Sequence, residues 1–102
     1  MIARMWHGWT AHTNADAYED LLRTRIFPEI SVLPGACGAY LLRRKTAEEI
    51  EFITITLFRD LDAVRSFAGA DYETAVILPE AHRLLSRFDA KAVHYEAALI
   101  PH

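Results

Sequence analysis

Cysteine is almost missing from this 102-residue chain, and Cys37, standing alone, excludes both an internal disulfide and a cysteine-based metal site. A reducing compartment such as the cytoplasm fits that usage. The small, uncharged neighbours Gly35, Ala36, Gly38 and Ala39 hold nothing that would depress a thiol pKa, so Cys37 reads as a buried structural residue. A surplus of positive charge is missing too. Eleven basic against fourteen acidic residues leave a net charge of −3, and phosphate neutralisation needs a Lys/Arg surplus, which argues against a nucleic-acid partner. The one basic knot, Arg43-Arg44-Lys45, is followed at once by Glu48, Glu49 and Glu51, as on a solvated hairpin tip.

Long apolar runs are absent as well. The longest uncharged stretch, Ile30 to Leu42, contains Pro34, Gly35 and Gly38 and falls short of the roughly 20 residues that a membrane-spanning helix needs. The opening MIARMWHGWTAH has Arg4 but no apolar core of a signal peptide. His7, His12, His82, His94 and His102 show neither HxH nor HxxxH spacing, so no metal site is expected. No glycine-rich phosphate loop, Walker motif or Gly-x-Ser-x-Gly elbow occurs, which removes nucleotide binding and serine hydrolysis.

What is present is an ordinary globular composition, 52% hydrophobic and 11% aromatic, enough for one core in a single domain over residues 1–102. Residues 2–10 mix β-branched and aromatic side chains and read as a strand. From Asn14, apolar residues at Tyr18, Leu21, Leu22, Ile26, Ile30 and Leu33 keep helical spacing, with a kink expected at Pro28 and a stop at Pro34-Gly35. Residues 36–44 and 50–59 form a hairpin. Asp60 caps a short helix with Val64 and Phe67 on its apolar face, and Gly69 ends it. A further helical stretch is expected from Asp71, divided by Pro79, with Ala81, Leu84, Leu85 and Phe88 facing inward, and residues 92–100 read as a last strand.

The order β, α, β, β, α, β predicts an α+β domain of ferredoxin-like topology, a four-stranded antiparallel sheet with helices on one face. The other face then decides the assembly. In the third strand Phe52 and Phe58 fall on one side and Ile53, Ile55 and Leu57 on the other, whereas a sheet wetted on one side should alternate apolar with polar. Helices cover one face, so a second chain is expected on the other, which predicts a homodimer.

The side chains able to carry chemistry are rings with polar tips. Trp6, His7 and Trp9 on the first strand, Phe67 on the short helix, Tyr72 and His82 on the helical stretch beyond it, and His94 and Tyr95 on the last strand could converge, because first and last strands are neighbours in this topology. Such a pocket suits a flat aromatic ligand, with rings for stacking and a His or Tyr to move a proton. Each ring taken singly also serves as ordinary core.

The start MIARMWHGW, the segment FPEISVLPGACGAYLLRR, the stretch EFITITLFRDLDAVRSFAGADYETAV and the end HYEAAL together resemble the antibiotic biosynthesis monooxygenase family of dimeric α+β barrels. The resemblance implies two ferredoxin-like sheets paired face to face. It also implies oxygenation of an aromatic, polyketide-type or quinone-type compound without metal, flavin or other cofactor. The implied catalytic residues are His7 or His82 as base and Tyr72 as hydrogen-bond donor, with Trp6 or Phe67 as the implied stacking walls; Trp9 and His94 of the ring set join them as expected substrate contacts. A non-catalytic ligand-binding or stress-response dimer of the same fold is the alternative. Haem binding or degradation, with His82 as ligand, is a third reading, although the first strand offers His7 where haem-degrading relatives use Asn and the short helix offers Phe67 where they use Trp.

Overall fold

The computed structural model describes residues 1–101; His102, named among the histidines above, lies outside the described residues. The elements run β1 (Ile2–Ala11), α1 (Ala15–Leu21), α2 (Phe27–Ser31), β2 (Ala36–Lys45), β3 (Glu49–Phe58), α3 (Leu61–Ala68), α4 (Pro79–Leu84), β4 (Leu85–Phe88) and β5 (Val93–Glu96). All strand pairings are antiparallel, in the order β2-β3-β1-β4, with β5 also on β1. β4 pairs with Gly8–Thr10 and β5 with Ile2–Met5, so the two short strands share one lane beside β1. The α+β, ferredoxin-like order expected from the sequence is thus present, with its last strand cut in two.

Local chemistry accounts for the breaks. Pro28 has no N–H to give to Thr24, and the first helix passes through a wide π turn, Leu22–Ile26, before restarting as α2. At α3, the Asp60 carboxylate accepts from the Ala63 N–H at 2.9 Å, and Gly69 at φ 89° stops the helix. Gly35, at φ 84°, is fixed twice over, since a Cβ there would come within 2.6 Å of the Ala63 Cβ.

Four sequence expectations are corrected. The helix expected from Asp71 is only Pro79–Leu84, because Leu78 before the proline is extended and Pro79 opens the helix instead of interrupting it. Leu85 and Phe88 bury themselves from a strand: β4 pairs Leu85 with Thr10 and Phe88 with Gly8. The last strand stops at Glu96, leaving Leu99 and Ile100 exposed. Cys37, expected to be buried, is exposed at a register shift between Ala36 and Gly38.

Alternation along β1 and β3 separates two faces. Ile2, Arg4, Trp6, Gly8 and Thr10 stand opposite Phe58, Thr56, Thr54, Phe52 and Ile50 on one face. The helices cover it: Tyr18, Leu22 and Ala81 pack with Ile50 and Phe52, and Ile30, Ala63 and Val64 with Phe58. Each fully buried phenylalanine contributes roughly 1.5–3 kcal/mol of hydrophobic stabilisation. The second face carries Met5, His7 and Trp9 against Ile55, Ile53 and Glu51. Tyr40 and Leu42 of β2 and Val93 and Tyr95 of β5 continue it, each about half exposed.

Candidate functional site

The covered face contains a cavity. Arg4 and Trp6 of β1, Thr54 and Thr56 of β3, Tyr18 and Leu22 of the first helix, Phe67 of α3 and the Val76–Leu78 segment line about 60 Å³ of free space. It shares Ile26, Ile30, Phe67, Val76 and Leu78 with an outer hollow of about 250 Å³. Gly8 makes room for the inner wall: a Cβ at that position would meet Leu85 at 2.9 Å and the Trp6 indole at 3.0 Å. The Trp6 Nε1–H donates to the Asp89 carbonyl at 2.6 Å, which pins the indole. Phe67 stacks on Phe58 with centroids 5.8 Å apart, and Tyr18 meets Phe52 edge-on at 4.9 Å. Burial pushes the Tyr18 phenol well up, so it stays a neutral hydroxyl.

The charged member of the wall is Arg4, only 5% exposed. One Nη1 donates to the Tyr72 carbonyl and lies 3.0 Å from His94 Nε2, and Nη2 donates to the Thr74 carbonyl at 3.1 Å. The guanidinium carbon lies 5.5 Å from the centre of the Phe67 ring. A guanidinium can only donate, so His94 Nε2 must accept and the imidazole proton sits on Nδ1. Burial, reinforced by the Arg4 charge, lowers the His94 pKa, while Glu73 works weakly the other way. Burial likewise lowers the Arg4 pKa.

The sequence-derived candidates therefore divide. Trp6 and Phe67 line the cavity. Tyr72 and His94 stand behind Arg4, their rings edge to face at 5.1 Å. His7 and Trp9 belong to the opposite face, where His7 lies between Glu51 and Asp89, at 3.9 and 3.7 Å, and stacks on Trp9. Arg87 lies over the Trp9 ring, 3.9 Å from its centre. His82 is exposed on α4, against Phe88 and outside the cavity wall. The convergence expected of these rings fails at His7, Trp9 and Tyr95 because strand alternation points them away, and at His82 because α4 presents Ala81 to the cavity instead. Arg4 was not among the candidates. Its signal was a lone cation between Ile2 and Trp6 on one face of an apolar strand.

Among the described residues, no group of three or more His, Cys, Asp or Glu side chains is placed to hold a metal ion, and no helix is long and apolar enough to cross a membrane. Among the described residues, neither a carboxylate nor an imidazole lines the cavity. The arrangement can hold a flat ring, exclude water and hold a negative charge at Arg4.

No family model matches the chain, and no curated protein matches it. Solved structures do. A candidate antibiotic biosynthesis monooxygenase from Bacillus cereus aligns with a TM-score of 0.67 at 8% identity, over 100% of this chain and 97% of the other. A variant of SnoaB, a cofactor-independent oxygenase from Streptomyces nogalater, aligns with a TM-score of 0.64 at 18% identity, over 97% and 95%. The haem degrader MhuD from Mycobacterium tuberculosis, solved with two haems in its active site, aligns with a TM-score of 0.62 at 16% identity, over all of both chains. The chain has the fold of the antibiotic biosynthesis monooxygenases. Oxygenases and a haem degrader share that architecture, so chemistry on it is set by the side chains of each site.

Proposed function

We propose that the protein is a cofactor-independent oxygenase of a small aromatic, polyketide-type or quinone-type compound, bound in the cavity between sheet and helices, and that it works as a homodimer. The observation that carries this reading is the cavity itself, a ring-walled space between Trp6, Phe67 and Tyr18 on the covered face. The similarity in fold to SnoaB, a cofactor-independent oxygenase, supports the reaction class.

The chemistry would be the substrate's own. A substrate with an activated CH₂ loses a proton, the carbanion reacts with dioxygen, and the hydroperoxide formed expels water to leave a carbonyl, so that R₂CH₂ and O₂ become R₂C=O and H₂O. The protein's share is to orient the ring, keep water out and stabilise the anion. Tyr18 offers a neutral hydroxyl and Arg4 a positive charge. Of the catalytic residues read from the sequence, Tyr72 keeps a part through the backbone carbonyl that holds Arg4. His7 and Trp9 fall on the surface that a second copy would cover, and His82 on the outside of α4. Haem as substrate is disfavoured by the same geometry, since no imidazole of the described residues lines the cavity.

One observation favours a second reading, a ligand-binding dimer without turnover: among the described residues, the cavity wall holds no carboxylate or imidazole to act as general base. Oxygen uptake separates the two. With 1,8-dihydroxyanthrone under air, the oxygenase reading expects consumption above buffer, reduced about a hundredfold in Trp6→Ala or Phe67→Ala through lost positioning. Retention of that compound with no oxygen consumed would establish the second reading.

A further inference from the structure

Arg4 is a buried cation without an anion. Among the described residues no carboxylate lies within 4.0 Å of it. Its acceptors are two backbone carbonyls and the neutral imidazole of His94, none of which cancels its charge. A guanidinium has five N–H donors, and these contacts occupy three, leaving two without a protein acceptor. A charge taken out of water is costly unless it is paired and fully hydrogen-bonded. Yet this one is 5% exposed and forms part of the cavity wall, with Phe67 at its side and Trp6 next on the same face of β1.

We propose that Arg4 is a ligand-binding residue whose counter-anion is a carboxylate carried by the compound that enters this cavity, so that the site takes aromatic acids in preference to their neutral counterparts. The inference rests on the reading of the cavity as an aromatic site and narrows its ligand class. Guanidinium and carboxylate match in geometry, and a charge-assisted pair inside a dry wall is stronger than a neutral hydrogen bond. His94 and Tyr72 act as positioning residues. The imidazole and the carbonyl aim the guanidinium at the cavity, and the neutral state of His94 leaves Arg4 as the one cation of the pair.

The test compares 1-naphthoate with 1-naphthamide, two probes of nearly equal shape, by isothermal titration and Trp emission at pH 8 on the wild-type chain. Trp6 lines the cavity, so quenching reports entry. The acid is expected to bind about tenfold or more tightly than the amide. Arg4→Met should abolish that preference while keeping amide affinity within about threefold, and Arg4→Lys should keep part of it. Equal binding of acid and amide to the wild type, a comparison that needs no variant, would overturn the anion site and leave the aromatic cavity standing. A preference surviving in Arg4→Met would overturn Arg4 as its source. If neither probe binds or quenches, the cavity reading falls, and this inference with it.

Discussion

The two faces of the sheet are written into the same strands, one residue apart, and come to opposite ends. On β3, Phe52 and Phe58 are fully buried under the helices, while Ile53, Ile55 and Leu57, equally apolar, are only partly covered on the single chain. Polar groups are also placed differently. The covered face carries two cations, Arg43 at its edge paired to Asp16 and Glu19 and Arg4 turned inward among carbonyls, whereas the open face keeps its charges at one end, with Glu51 beside Arg44 and His7 and with Arg87 paired to Glu49. Apolar residues alone thus do not tell a helix-covered face from an open one. An isolated buried charge does: Arg4 lies under the helices, where the proposed ligand would complete the site.

Substitutions on the two faces should separate these roles. Phe52→Ala empties a fully buried position against Tyr18 and should cost about 3–5 kcal/mol in urea unfolding. Ile55→Asp, one strand position away from that face, should leave the secondary structure by circular dichroism intact. It should weaken self-association by about a hundredfold, seen as a halved mass by sedimentation. If Ile55→Asp unfolds the chain while Phe52→Ala only shifts its mass, the faces have been assigned the wrong way round. A smaller effect belongs to the helices that make the cover: Asp60→Ala removes the cap of α3 and should cost about 1 kcal/mol.

The smallest effect is in pH. His94 has a lowered pKa in the folded protein, so the unfolded chain binds more protons below its ordinary value of about 6.5. Its contribution is complete above that pH and is lost progressively as pH falls through it, levelling off once the native imidazole titrates. Melting temperatures from pH 8 to 5 should show this decline, and His94→Gln should flatten it. The carboxylates held low by cations or N–H groups, such as Glu19 and Asp60, lose their share in a separate, more acid window.

The strand and hairpin order was legible because period-two alternation and the Asp60 cap are local signals. Two-sidedness of β3 was legible for the same reason. The split of the last lane was not. Leu85 and Phe88 fit a helical period as well as a strand, and their pairing with Thr10 and Gly8 is a contact across more than seventy residues. The cavity was half legible. Trp6 and Phe67 were found as rings, and the face of Trp6 depended on the register. Arg4 was missed because a single charged residue near the start of a strand looks like a solvated end until Tyr72, Thr74 and His94 are brought around it.

One measurement bears on both faces at once: a crystal structure of the protein grown with 1,8-dihydroxyanthrone. The account predicts the ring between Trp6 and Phe67 on the covered face, and two chains joined through Ile53, Ile55 and Leu57. A ligand seated on the open face, or a pair of chains that leaves Ile55 in water, would contradict it.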